Sequence, residues 1–134
     1  MKSYLISALF VLTTLSACNK ISPENYADAI IGQWQGVKEE YYENGILTET
    51  EFFEGSMFIT FASNGNYFIE SDGYIEDSGT FVVSDTYLTM ESLEYGKPHT
   101  TILKIQSLNE KELVIVDPDG YKGYEEWAYL IRVR

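Results

Sequence analysis

The chain has 134 residues, 21 of them acidic and nine basic, for a formal net charge of −12. So acidic a chain lacks the basic surface that phosphate backbones require, which argues against nucleic acid as a partner. With one cysteine an internal disulfide is impossible, and one histidine makes neither a catalytic triad nor a convincing metal site.

Met1-Lys2 precedes an almost wholly apolar run from Tyr4 to Leu15. A bilayer-spanning helix needs about 18 apolar residues or more. A short positive start, a short apolar centre and a small-residue end describe a secretory signal instead. That end, Leu15-Ser16-Ala17-Cys18, resembles the lipobox of bacterial lipoproteins. The resemblance implies that residues 1–17 are a signal peptide and that the Cys18 thiol receives a diacylglyceryl group. Cleavage before the cysteine and acylation of the new amine would follow. Acyl chains gain about 0.8 kcal/mol per buried methylene, so two or three of them tether a protein stably to a membrane. By the same resemblance Asn19 is compatible with the outer membrane of a Gram-negative bacterium, and the expected location is the cell envelope. An ordinary signal peptide with a stray cysteine, or a buried amino-terminal helix, are the alternatives.

Without residues 1–17 the chain keeps 117 residues, enough for one domain with its own core. It keeps eight basic and all 21 acidic residues, a net charge of −13. Solubility is the plain account of that charge; a basic partner or a cation is the sharper one.

Residues 18–31 read as the lipidated cysteine, a short tether and a helix over SPENYADAIIG. Ser22 can cap it, Pro23 suits its first position, Glu24 its positive end and Gly32 its left-handed close. From Gln33 the period becomes strand-like. Extended runs are expected at Trp34–Glu43, Ile46–Phe53, 57–61 and Tyr67–Glu70. Further runs follow at 80–83, Tyr87–Glu91, His99–Gln106, Leu113–Val116 and Tyr124–Val133. Turn signals separate them, Asn44-Gly45 the strongest, with Asn64-Gly65, Asp72-Gly73 and Asp117-Pro118-Asp119-Gly120 after it. Short strands with tight turns mean an all-β antiparallel up-and-down meander, and closure into an eight-stranded barrel removes its edges. Such a barrel is either just filled or holds one small ligand.

Alternation predicts an inward face of Met57, Ile59 and Phe61, then Tyr67 and Ile69, Phe81 and Val83, Leu88 and Met90. Leu103 and Ile105, Leu113 and Ile115, and Tyr129 and Ile131 complete it. The runs FVV and LVIV are apolar on both faces, so part of the outer surface is expected to be covered.

Gly32-Gln33-Trp34, placed after a short helix and opening the first strand of such a meander, resembles the Gly-x-Trp opening of the lipocalins. Arg132 and Arg134, in WAYLIRVR, are the candidates for the arginine that lipocalins pack over that tryptophan, a cation–π contact that seals one barrel end. The closer resemblance is to small bacterial lipoproteins with a lipocalin-like domain: Phe61 precedes Asn64-Gly65, and Gly79-Thr80-Phe81 follows. It covers roughly residues 30–134, with 32–134 as the barrel domain. Two features depart from vertebrate-type lipocalins: there is no cysteine pair at the carboxyl end and no long helix after the last strand. A filled or flattened barrel is therefore an open alternative.

The resemblance implies ligand-binding residues at Trp34, Met57, Ile59, Phe61, Tyr67, Ile69, Phe81, Leu88, Met90 and Tyr129. Tyr41, Tyr42, Tyr95, Tyr121 and Tyr124, near turns or strand ends, could ring an opening or form a contact patch. No phosphate loop or nucleophile constellation is present, and Asp-Pro-Asp-Gly reads as a turn rather than a calcium loop. No enzyme activity, cofactor or metal is expected. The leading expectation is a lipid-anchored barrel that binds a small apolar or amphipathic molecule. The alternative is a filled barrel that binds or inhibits a basic partner protein.

Overall fold

The computed structural model describes residues 19–118 and 123–134. The expected signal peptide (residues 1–17), Cys18 and the expected turn at Asp119, Gly120 and Tyr121 lie outside the described residues.

The chain enters through a 3-10 turn, Pro23–Asn25, that runs into one α-helical turn, α1 (Tyr26–Ala29). Pro23 occupies the first position, where its missing N–H is no loss. Ser22 precedes it in extended conformation, and its side chain makes no capping bond. Its carbonyl instead accepts the Asn25 N–H at 2.9 Å. The expected helix is cut short because Gly32 does not close it. Gly32 is already the first residue of β1, at φ +141°, a conformation that side chains rarely allow. A Cβ there would also strike the Arg134 carbonyl oxygen and the Arg132 guanidinium. Tyr26 and Ile30 are buried and anchor the segment to the core.

Nine strands follow: β1 (Gly32–Glu43), β2 (Ile46–Phe52), β3 (Met57–Phe61), β4 (Asn66–Ser71), β5 (Tyr74–Ser84), β6 (Tyr87–Glu94), β7 (Lys97–Leu108), β8 (Glu112–Asp117) and β9 (Tyr124–Arg132). Each pairs antiparallel with its neighbour in the order β2-β1-β3-β4-β5-β6-β7-β8-β9, and β1 also pairs with β9. Eight strands, β1 and β3 to β9, thus close on themselves, and β2 is an extra strand on the far half of β1. The first half of β1 pairs with β3 (Gly32↔Phe61 to Gln35↔Phe58) and the second half with β2 (Lys38↔Phe52 to Glu43↔Ile46). β2 and β3 therefore act as one strand interrupted between Phe52 and Met57.

Three hairpins turn through consecutive positive-φ residues, Asn44-Gly45, Asp72-Gly73 and Tyr95-Gly96. This geometry matches the twist of the strands it joins. All three lie at one end of the barrel. The helix, the turn at 63–65, the β5–β6 and β7–β8 turns and the carboxyl terminus lie at the other.

Side-chain parity changes along β1. Trp34 and Gly36 point inward, but the β1–β9 register slips between Gly36 and Lys38. After this bulge Glu39 and Tyr41 point inward while Lys38, Glu40 and Tyr42 point outward. Opposite, Leu130, Ala128 and Glu126 share the inward face. The predicted inward pair on the last strand is thereby corrected: Tyr129 faces out, and Ile131 is 43 % exposed. The WAYLI run is apolar in both phases, so alternation alone cannot choose between them. On the outer face Val116 is buried opposite Trp127, whereas Val82 is 64 % exposed.

Candidate ligand-binding site

The helical end of the barrel is filled. Trp34, Phe61, Tyr67, Leu88, Leu113 and Leu130 are almost wholly excluded from solvent, and Phe61 and Phe81 meet edge to face at 4.9 Å. Packing of this kind leaves no space for a guest. Arg132 closes the end. Its guanidinium carbon lies 4.2 Å from the centre of the Trp34 ring. Its Nη1 donates to the Ile31 carbonyl at 2.9 Å, its Nη2 to Ala29 at 2.5 Å and its Nε to Glu110 at 2.8 Å. Trp34 Nε1 donates to the Ile30 carbonyl at 2.8 Å. One cation thus ties the helix, the β7–β8 turn and the last strand to the tryptophan. Arg134, the second candidate, instead donates through Nε to the Gln33 side-chain oxygen at 3.2 Å.

The other half of the barrel is hollow. A cavity of about 340 Å³ opens toward the three hairpins. Its deep surface is apolar, formed by Ile59, Ile69 and Leu130, with Met57, Leu103 and Ile115 above them. Ala128, a small residue on β9, leaves the space between. Gly36 contributes as well: a Cβ on it would collide with the Phe53 ring and the Met57 methyl, two side chains that line the cavity.

The mouth is acidic. Glu39, Glu76, Asp117 and Glu126 complete the lining, and among the described residues no Lys, Arg or His joins them. The register explains the grouping. Glu39, Ala128 and Ile115 form one cross-strand row. Tyr41, Glu126 and Asp117 form the next row toward the mouth. The Tyr41 hydroxyl donates to Glu39 at 2.9 Å and to Glu51 at 3.4 Å, and the Tyr41 and Tyr124 rings lie 6.3 Å apart. Burial, then the charges of Glu39, Asp117 and Glu51, push the Glu126 carboxyl above its ordinary pKa.

Between plug and mouth sits Tyr67, whose hydroxyl donates to Asp77 at 2.8 Å. Beyond Gly79↔Ser92 the strands β5 and β6 no longer pair. A wider, shallower depression of about 600 Å³ fills the gap, lined by Ile75, Ser78, Leu93 and Pro98 among others. Glu76 lines both spaces. The barrel cavity has the more apolar lining, and its size falls in the range of small-molecule sites.

Of the residues singled out from the sequence, Met57, Ile59 and Ile69 line the cavity. Trp34, Phe61, Tyr67, Phe81, Leu88 and Met90 are not among its lining: they are buried in the core. Tyr129 is on the outside, where the Lys38 ammonium lies 4.5 Å from its ring centre and Glu40 takes its hydroxyl bond. Glu40 also accepts from Tyr42 at 3.0 Å and pairs with Lys38 at 2.8 Å. Lys38, then Tyr129 and Tyr42, hold its carboxyl below the ordinary pKa despite burial. Tyr42 further meets Trp127, ring centres 5.5 Å apart, and Tyr95 projects fully into solvent from its turn. Of the four acids of the mouth, Asp117 entered the sequence reading as part of a turn and not as a binding residue, and Glu39 and Glu126 were not singled out. A signal was present in the alternation of Glu126, Ala128 and Leu130, but only the bulge in β1 turns Glu39 onto the same inward face.

A protein-family model described as a lipocalin-like domain matches residues 30–115, from the end of the helix through most of β8. No curated protein matches the chain.

Proposed function

Because the chain belongs to the lipocalin-like domain family, we propose that it is a carrier or receptor for a small apolar or amphipathic molecule. The observation that carries this reading is the cavity of about 340 Å³ with an apolar base and a polar mouth, set in the unfilled half of the barrel. The volume admits a molecule with a short apolar chain or up to three rings. The plugged end gives the site a single deep floor, and its packing supplies the rigidity that a preformed pocket needs. A barrel acting solely as a protein-binding wedge would have no use for the empty half.

Lys2, the apolar run and the Leu15-Ser16-Ala17-Cys18 end support an envelope lipoprotein, exported and then acylated on Cys18, as in the outer membrane of a Gram-negative bacterium. No helix among the described residues is long and apolar enough to cross a membrane, so attachment in this reading falls to the acyl chains.

Uptake of a neutral apolar fluorophore, N-phenyl-1-naphthylamine, tests the carrier reading. The full chain is expected to enhance its emission saturably, and Ala128→Leu, which fills the space between Ile115 and Leu130, is expected to abolish the effect without loss of thermal stability. Equal enhancement by both proteins would place the dye elsewhere and remove the support. For the anchor, radiolabelled palmitate supplied to the producing cells is expected to label the chain and not its Cys18→Ala variant.

A further inference from the structure

We propose that the occupant of the barrel cavity is a cationic amphipath, an apolar chain or ring on Ile59, Ile69 and Leu130 with an ammonium or amidinium head among Glu39, Glu76, Asp117 and Glu126. The inference rests on the reading of the barrel as a carrier and adds the chemical class of its ligand.

The cavity has two chemically distinct zones. Its depth offers only hydrocarbon, which selects against a strongly hydrated inorganic ion. Its mouth offers four carboxylates, contributed by β1, β5, β8 and β9, and no cation among the described residues. The nearest lysine on β1, Lys38, is on the outer face, held by Glu40 and Tyr129. An anionic head at this mouth would meet like charge in a partly desolvated setting. A neutral head would leave Glu39 and Glu126 in like-charge proximity, whereas a cationic head relieves that repulsion. A bare metal ion is the poorer occupant. Among the described residues no group of three or more His, Cys, Asp or Glu side chains is arranged to hold one. Among the described residues the groups facing Glu126 are Glu39 and Tyr41 from β1, Asp117 from β8 and Glu51 from β2, none of them basic. Its raised pKa is the titration signature of that arrangement, so a bound cation would favour its ionised form.

Three ligands that share one octyl chain test the proposal: n-octylammonium, 1-octanol and octanoate. Each is titrated into the full chain by calorimetry, with the Met57 methyl resonance reporting occupancy of the cavity itself. Octylammonium is expected to bind about tenfold tighter than 1-octanol, and octanoate more weakly than either. The ammonium advantage should shrink in high salt and as pH falls through the range in which Glu126 gains its proton. The double variant Glu39→Gln/Glu126→Gln is expected to erase most of that advantage while 1-octanol still binds. Glu24→Gln, which removes a charge at the opposite end of the barrel, should leave it intact. If 1-octanol or octanoate shifts Met57 as readily as octylammonium does, the cation assignment is overturned and the carrier reading stands. If none of the three moves Met57, the carrier reading falls and takes this inference with it. Equal loss of advantage in the Glu24→Gln variant would reduce the effect to overall charge and also overturn it.

Discussion

Tyr67 is 1 % exposed, yet its hydroxyl reaches Asp77 at the boundary between plug and cavity. Burial first, and then that hydrogen bond, push its pKa up to about 12 from an ordinary 10.0. The sign of the resulting pH dependence follows by linkage. The folded chain keeps the phenolic proton to about 12 while the unfolded chain releases it near 10.0, so stability falls as pH rises between the two. Tyr41 and Tyr129 are raised as well, chiefly by burial, and act in the same direction. Urea unfolding followed from neutral pH upward is expected to show a midpoint that declines above pH 10 and declines less in Tyr67→Phe. Glu40 works at the acid end. Its lowered pKa contributes stability above the ordinary carboxylate value, lost as pH falls through the folded one. Tyr41–Glu39, Lys38–Glu40 and Tyr42–Glu40 join residues two apart on one face of β1, but Tyr67–Asp77 is not written in the local sequence, because strand register brings that pair together. Choosing Arg132 over Arg134 for the tryptophan is of the same kind: both flank Val133, and only the end of β9 decides which one turns inward.

At the scale of elements, what alternation and turn chemistry encode was legible. Asn44-Gly45 and Asp72-Gly73 announce their hairpins, and 57–61 is a strand to the residue. Two failures have physical causes. The first half of β5, over IEDSG, is polar and lies beside the mouth, so no hydrophobic period marks it. Tyr95-Gly96 is a tight turn with a tyrosine at positive φ, a placement that residue preferences disfavour. The same scale contains a tie that joins three elements through one side chain. Arg132→Met keeps the bulk over Trp34 but removes three hydrogen bonds to carbonyls and the cation–π contact. It is expected to cost about 2–4 kcal/mol in urea unfolding. Arg134→Met, with one bond of 3.2 Å to replace, should cost well under half of that.

For the whole molecule, the eight-stranded closure with a short leading helix was legible, since short strands with regular turns have few other solutions. The division of the interior into a solid half and a hollow half was not. It depends on a shift of one residue at Val37 and on small side chains at Gly36 and Ala128, all inconspicuous in a linear reading. The extra strand β2 has a further consequence. Its seven residues are all exposed, and it ends the strand order with one side unpaired. Such a rim is a template onto which another chain can hydrogen-bond, the first step toward fibrous aggregation. Ile46, Leu47 and Phe52 would favour that growth, while Glu49 and Glu51 between them set like charges against an incoming copy of the same strand. Glu49→Thr/Glu51→Thr raises strand propensity and removes that repulsion. Light scattering and thioflavin fluorescence are expected to report assemblies from the double variant at concentrations where the parent chain stays dispersed. On this view the acidity of the chain does two separate jobs, one at the mouth of the barrel and one along the side of the sheet that closure leaves bare.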